Sequence, residues 1–167
     1  MTFPCVRYGL FVFLLLVVPN FSFAASPTIE KACQQNTDRD FCIKSLQSVP
    51  GSDSADMSGL AKIAHNLAVA NATATIAKLE ALKKTKKDDA VVETCLILYK
   101  GVLTPLRFAA EFAASKHYSV AVDLYGVSID GPARCEDLMS DELTVDGDNL
   151  FKLTLMASEF TKTLASS

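Results

Sequence analysis

Apolar residues recur along this chain at intervals of three and four, and no window alternates with the period of two that a half-buried strand needs. The first long stripe is Leu60, Ile63, Leu67, Ala70, Ala74 and Ala77. It lies among good helix formers and predicts a helix over 59–82. Lys83-Lys84-Thr85-Lys86-Lys87 reads as its charged, solvated exit, because lysines suit a helix C-terminus; Asp88-Asp89 opens the next helix for the converse reason. That second helix carries Val91, Cys95, Leu98, Val102, Leu106 and Ala109, with Pro105 inside it and expected to kink it. A third, over 116–138, carries Val120, Leu124, Val127, Gly131, Cys135 and Leu138, and Gly131-Pro132 threatens its later half. The last stripe is Leu150, Leu153, Ala157, Phe160 and Leu164, with Asp148 as the expected cap. Four amphipathic helices with short connections predict an all-α fold, an antiparallel up-and-down four-helix bundle.

Ahead of the bundle, two short helices are expected over 27–35 and 40–46, separated by the turn Asn36-Thr37-Asp38 and ended by Val49-Pro50-Gly51. Pro27 can open the first, since a first-turn proline loses no hydrogen bond. Neither is long enough to be stable alone, and a Cys33–Cys42 bridge would make them one hairpin. Residues 52–58 read as a polar linker. Upstream of all this, 1–25 has Arg7 in a short head, an unbroken apolar run over 10–18, and Ser22-Phe23-Ala24 at its end. The run is far short of the ~20 residues that span a membrane. The segment is expected to be a secretory signal peptide, cleaved near Ala24 or Ala25, leaving one domain over 26–167 and no membrane partner.

Secretion changes the cysteine arithmetic. Of five cysteines, Cys5 leaves with the signal, and an even set, Cys33, Cys42, Cys95 and Cys135, remains for an oxidising compartment. The Cys33–Cys42 spacing is too wide for a zinc-ligand pair, and no Cys-x-x-Cys redox motif is present. Sequence alone allows three pairings. The local one, Cys33–Cys42 with Cys95–Cys135, is preferred; loop entropy assigns it ~2.6 and ~3.9 kcal/mol respectively. Cys95 near the start of one helix and Cys135 near the end of the next are neighbours in an antiparallel hairpin.

Charge and motifs then exclude more than they select. Loss of Arg7 takes the formal charge from −3 to −4, which argues against a nucleic-acid partner. There is no Gly-rich phosphate loop, His-Glu-x-x-His or Gly-x-Ser-x-Gly. His65 is expected to face solvent and His117 to sit in a solvated turn. Asp88-Asp89, Glu136-Asp137 and Asp141-Glu142 are expected as exposed helix-end carboxylates. No catalytic set, metal or cofactor is therefore expected. Asn71-Ala72-Thr73 is an N-glycosylation acceptor, expected to point away from the core, whereas Asn20-Phe21-Ser22 is discarded with the signal.

The stretches ACQQNTDRDFCIKSL, GLAKIAHNLAVANA, VETCLILYKGVLTPL and SKHYSVAVDLYGVSIDGPARCEDL, with Tyr99 after Cys95 and with Cys135-Glu136-Asp137, resemble the plant invertase and pectin methylesterase inhibitors, in particular their pollen-allergen branch. The resemblance spans the mature chain. It implies a bundle with an N-terminal hairpin reaching out from it, Cys33 paired with Cys42, and Cys95 paired with Cys135. It implies a non-catalytic protein secreted to the cell wall, forming a one-to-one complex with an invertase or a pectin methylesterase and covering its cleft. Invertase inhibitors of the family often carry Pro-Lys-Phe at the start of the third bundle helix; counted back from Cys135, those positions are Tyr118, Ser119 and Val120. They are the candidate contacts with a target enzyme. The rival expectation is a non-inhibitory wall or pollen protein of the same fold, whose alanine-rich first bundle helix leaves room for a ligand cavity.

Overall fold

The computed structural model describes residues 26–86 and 89–167; residues 1–25, where a signal peptide is expected, and Lys87-Asp88 lie outside them. The described residues form α1 (Pro27–Cys33), α2 (Arg39–Gln47), a 3-10 turn (Ser52–Ser54), α3 (Met57–Thr85), α4 (Ala90–Ala114), α5 (Tyr118–Val127), α6 (Asp130–Leu138) and α7 (Ser140–Ala165), with no strand among them. Four starts are capped by side chains accepting otherwise orphaned backbone N–H groups: Ser26 from Ile29, Asp38 from Phe41, Asp56 from Gly59, and Asp89 from Val91 and Val92.

Helix α3 lies beside α4 and α7, and the α5–α6 rod closes the square between the same two neighbours. Ion pairs give the directions. Lys83 with Glu93 and Lys100 with Glu80 run α3 against α4, while Lys78 with Asp146 and Lys86 with Glu142 run α3 against α7. The bundle is thus antiparallel, up and down. Its core holds Leu60 and Leu79 of α3, Tyr99 and Leu106 of α4, Tyr125 of α5, and Leu150, Met156 and Phe160 of α7. Both disulfides are present: Cα separations are 5.8 Å for Cys33–Cys42 and 5.4 Å for Cys95–Cys135, inside the ordinary bridging range.

Several boundaries differ from the sequence expectation. The third rod is two helices, broken after Val127. Pro132 lacks an N–H and its ring excludes the carbonyl four residues back, at Ser128; the chain turns there, and Pro132 falls in the first turn of α6, where no hydrogen bond is lost. By contrast α4 runs on as helix through Pro105. The last helix begins eight residues earlier than the expected cap. Asp148 is therefore inside α7, paired at 3.0 Å with Lys152 one turn on. Helix α3 extends to Thr85, so the lysine run is partly its last turn and partly ion-paired, not a linker.

Two stripes are also displaced. Ala70, Ala74 and Ala77 are exposed, and the face of α3 turned inward is Ala61, Ala64, His65, Ala68, Ala72, Thr75 and Ile76. A strict three-four spacing falls behind the 3.6-residue turn, by about 100° between Leu60 and Ala77. In the third rod Val120, Val127 and Leu138 are exposed, and Ala121, Tyr125, Ser128, Pro132 and Cys135 face inward. Nor does the α1–α2 hairpin stand clear of the bundle. Ile29, Cys33, Cys42 and Leu46 are fully buried, and polar ties fasten the hairpin to α7. The Thr37 N–H donates to Glu159 at 3.2 Å, Lys152 reaches Asp38 at 3.4 Å, and the Lys152 ammonium lies over the Phe41 ring.

Candidate functional site

The three positions singled out for partner contact sit together at the first turn of α5. Tyr118 is half-buried, whereas Ser119 and Val120 are exposed. The turn that presents them is fixed by its backbone. Helix α4 ends at Ala114, Lys116 takes a left-handed φ of 63°, the Lys116 N–H donates to the Ala113 carbonyl at 3.1 Å, and the His117 N–H donates to the Phe112 carbonyl at 2.8 Å. This pair of bonds is a Schellman closure. Its usual side-chain contact is present as well, with the Phe112 and His117 rings edge to face at 6.0 Å between centroids. His117 is exposed in the turn, as the sequence suggested.

Outward from this turn, Val120 and Val127 lie seven residues apart on one face of α5, 39% and 64% exposed. On the outer face of α4, Ile97 and Phe108 are 63% and 40% exposed, with Gly101 and Thr104 between them at helical spacing. Both outer faces are therefore partly apolar. Among the described residues no three His, Cys, Asp or Glu side chains gather to hold a metal ion.

The other singled-out residues are dispersed. Asn71, on α3, is half-buried rather than turned outward: its Oδ1 is buried without a hydrogen-bond partner, and the Thr73 hydroxyl donates to the Val69 carbonyl at 2.7 Å. The displaced stripe of α3 accounts for this, since Asn71 precedes fully buried Ala72. Glu136 is likewise half-buried, its carboxyl folded over Gly147, where any Cβ would collide with it. Burial, and then Asp148 and Asp137, raise its pKa.

His65 is the clearest residue that sequence reasoning misplaced. It is only 8% exposed, and its Nδ1 lies 3.5 Å from the Tyr125 hydroxyl. Burial lowers the His65 pKa and pushes Tyr125 up to about 12. The two rings, with Thr161 of α7, line a pocket of ≈ 410 Å³ walled by small residues at the first turns of α3 and the last turns of α4.

Comparison with known proteins decides what this bundle is. The model of the plant invertase/pectin methylesterase inhibitor family matches residues 27–162. The chain belongs to that family. Its members are inhibitor proteins, not catalysts. A "Putative invertase inhibitor" of Platanus orientalis is 29% identical over 150 residues, covering 83% of this chain and 88% of that protein. A "Pectinesterase inhibitor" of Actinidia deliciosa is 29% identical over 149 residues, covering 82% and 80%. The crystal structure of a mutant form of a pectin methylesterase inhibitor from Arabidopsis superposes with a TM-score of 0.70 at 20% identity, covering 82% of this chain and 97% of that one. The fold is thus shared with a solved inhibitor across nearly all of that chain's length.

Proposed function

We propose that this family member is a secreted inhibitor that binds one molecule of a cell-wall invertase or pectin methylesterase and covers its active-site cleft. The observation that carries this reading is the family match over nearly the whole described chain. Physical form supports it. Inhibition by occlusion needs a rigid surface complementary to the partner, about 800 Å² per side, and no nucleophile. The stapled bundle offers such a surface at the α4–α5 turn and along the partly apolar outer faces of α4 and α5. Removal of 1–25 and delivery to the extracellular wall belong to the same reading. So does glycosylation of Asn71, which would have to precede the packing of α3, because the folded helix buries the amide oxygen and engages the Thr73 hydroxyl.

Relatives of the two named specificities are equally similar, and Pro-Lys-Phe is absent at 118–120. The target is therefore decided by titration. Oxidised protein is added to a plant pectin methylesterase and, separately, to an acid invertase, from mildly acidic to neutral pH. Stoichiometric loss of one activity, with a co-eluting complex on gel filtration, is expected. Replacing Tyr118, Ser119 and Val120 together by Ala should weaken that inhibition about tenfold or more if they sit near the centre of the interface. Absence of inhibition of either enzyme, by protein shown to be correctly bridged, would overturn the reading in favour of a non-inhibitory binding protein of the same fold.

A further inference from the structure

A pocket lies between the start of α3, the end of α4, Tyr125 of α5 and the end of α7. Gly59, Ala61, Ala110, Ala113, Ala114 and Leu164 give it small or apolar walls, and Ser58, Asn66 and Thr161 add neutral polar groups. The alanines of α3 and α4 that line it carry too little side chain to fill the space. At ≈ 410 Å³ the pocket falls within the size range of small-ligand sites. Its polar base is His65, nine-tenths buried, which lines the pocket and turns Nδ1 towards the Tyr125 hydroxyl. The other ring nitrogen, Nε2, has no hydrogen-bond partner among the described residues.

The chemistry of that base selects the ligand. Burial lowers the His65 pKa, so the imidazole is neutral at neutral pH and offers one donor and one acceptor. An anion at this depth would lose its hydration with no cation to meet it. A hydroxyl can donate or accept and so suits whichever tautomer the Tyr125 contact leaves at Nε2. Lys62 and Glu111 stand exposed with opposite charge at the mouth, which gives neither sign of ligand an advantage there. The buried Tyr125 ring supplies an aromatic contact.

We propose that this pocket binds a small uncharged aromatic alcohol of the phenol class, its ring among the alanines and Tyr125 and its hydroxyl on His65 Nε2. The proposal rests on the described side chains and not on the inhibitory reading, and its test involves neither enzyme. Oxidised, ¹⁵N-labelled protein is titrated with 2-naphthol, naphthalene and 2-naphthoate, and amide shifts are followed by NMR. Saturable shifts from 2-naphthol centred on residues 58–66 and 110–114 are expected. Affinity should fall about tenfold for naphthalene and for the His65→Phe variant, the worth of one buried hydrogen bond. Ala110→Leu, which fills the pocket from a half-buried wall position with a good helix former, should abolish binding while leaving the circular dichroism unchanged. No saturable shift up to the solubility limit, or shifts centred elsewhere, overturns the site. Binding that survives in folded Ala110→Leu overturns it as well. Tighter binding of 2-naphthoate or of naphthalene than of 2-naphthol overturns the ligand class.

Discussion

Where α3 ends and α4 begins, the bundle is crossed by covalent and ionic links. Cys95–Cys135 joins α4 to α6, and Lys78, Lys83, Lys86 and Lys100 pair with acids on neighbouring helices. Where α4 ends and α5 begins, the closure is made by backbone hydrogen bonds and the Phe112–His117 ring contact. A left-handed Lys116 completes the turn, and alanines leave a pocket over a buried His65. There the α1–α2 hairpin covers α3 and α7 and carries its own bridge between its two helices. Such a division suits a binding protein, because the rigid half fixes helix directions while the other half presents surface and cavity.

The comparison is broken most severely through the disulfides. Cys95→Ala/Cys135→Ala removes a loop closure of 40 residues, whereas Cys33→Ala/Cys42→Ala removes one of 9. The first pair should cost on the order of 2–5 kcal/mol in urea unfolding, and the second about 1 kcal/mol less. The four clamping ion pairs have side chains 30–52% exposed, and each is worth only ~0–1 kcal/mol, so they cannot replace the covalent link. A larger loss from the hairpin bridge would show that docking on α7, and not chain entropy, sets the order.

Acidification acts on the other end. The folded pKa of His65 lies below its ordinary 6.5, because burial penalises the charged form. As pH falls below 6.5 the unfolded chain takes up a proton that the folded chain refuses. The associated stability, complete above that value, is therefore lost as pH drops through the depressed folded pKa. The effect should be smaller than loss of the Cys95–Cys135 bridge. Urea midpoints measured from neutral to mildly acidic pH should fall less steeply for His65→Phe than for the parent protein. Equal slopes would remove His65 as the cause.

Much of this architecture is legible in the residues, and the failures have physical reasons. The α7 stripe was read correctly because Leu150, Leu153 and Phe160 are large and their neighbours on the other faces polar. The α3 stripe was not, because alanine occupies buried positions such as 64, 68 and 72 and exposed ones such as 70, 74 and 77; apolarity then carries no facing signal. His65 followed that error to the wrong face. The two prolines show how context outweighs identity: each removes an N–H, yet α4 absorbs Pro105 and the rod ending in Cys135 divides at Pro132. Gly101 stands four residues before the first proline and Ser128 before the second. Gly101 has no side chain of its own to meet the Pro105 ring one turn on. Ser128 instead carries the break, its hydroxyl donating to the Leu124 carbonyl at 2.8 Å. The lysine triggers no comparable expectation at 116, since nothing in its side chain announces a left-handed backbone.

That residue supplies the smallest of the predicted effects and the sharpest probe of the α4–α5 turn. The Schellman closure requires φ > 0 at the position after the cap, where an L side chain brings its Cβ too close to the following carbonyl. Lys116 has φ 63° and is exposed, and the contacts that define the turn come from its own N–H and from Phe112 and His117. Lys116→Gly therefore removes strain and no contact of the turn, while a flexible unfolded chain takes back part of the gain. The net outcome should be a stabilisation of about 0.5–1 kcal/mol, read as a raised urea midpoint. Inhibition, if it depends on how the turn presents Tyr118, Ser119 and Val120, should be retained, because the glycine favours the same backbone. A destabilised Lys116→Gly protein would mean that the turn is held by the lysine side chain and not by its hydrogen bonds, and that this end of the bundle is less self-sufficient than its backbone geometry indicates.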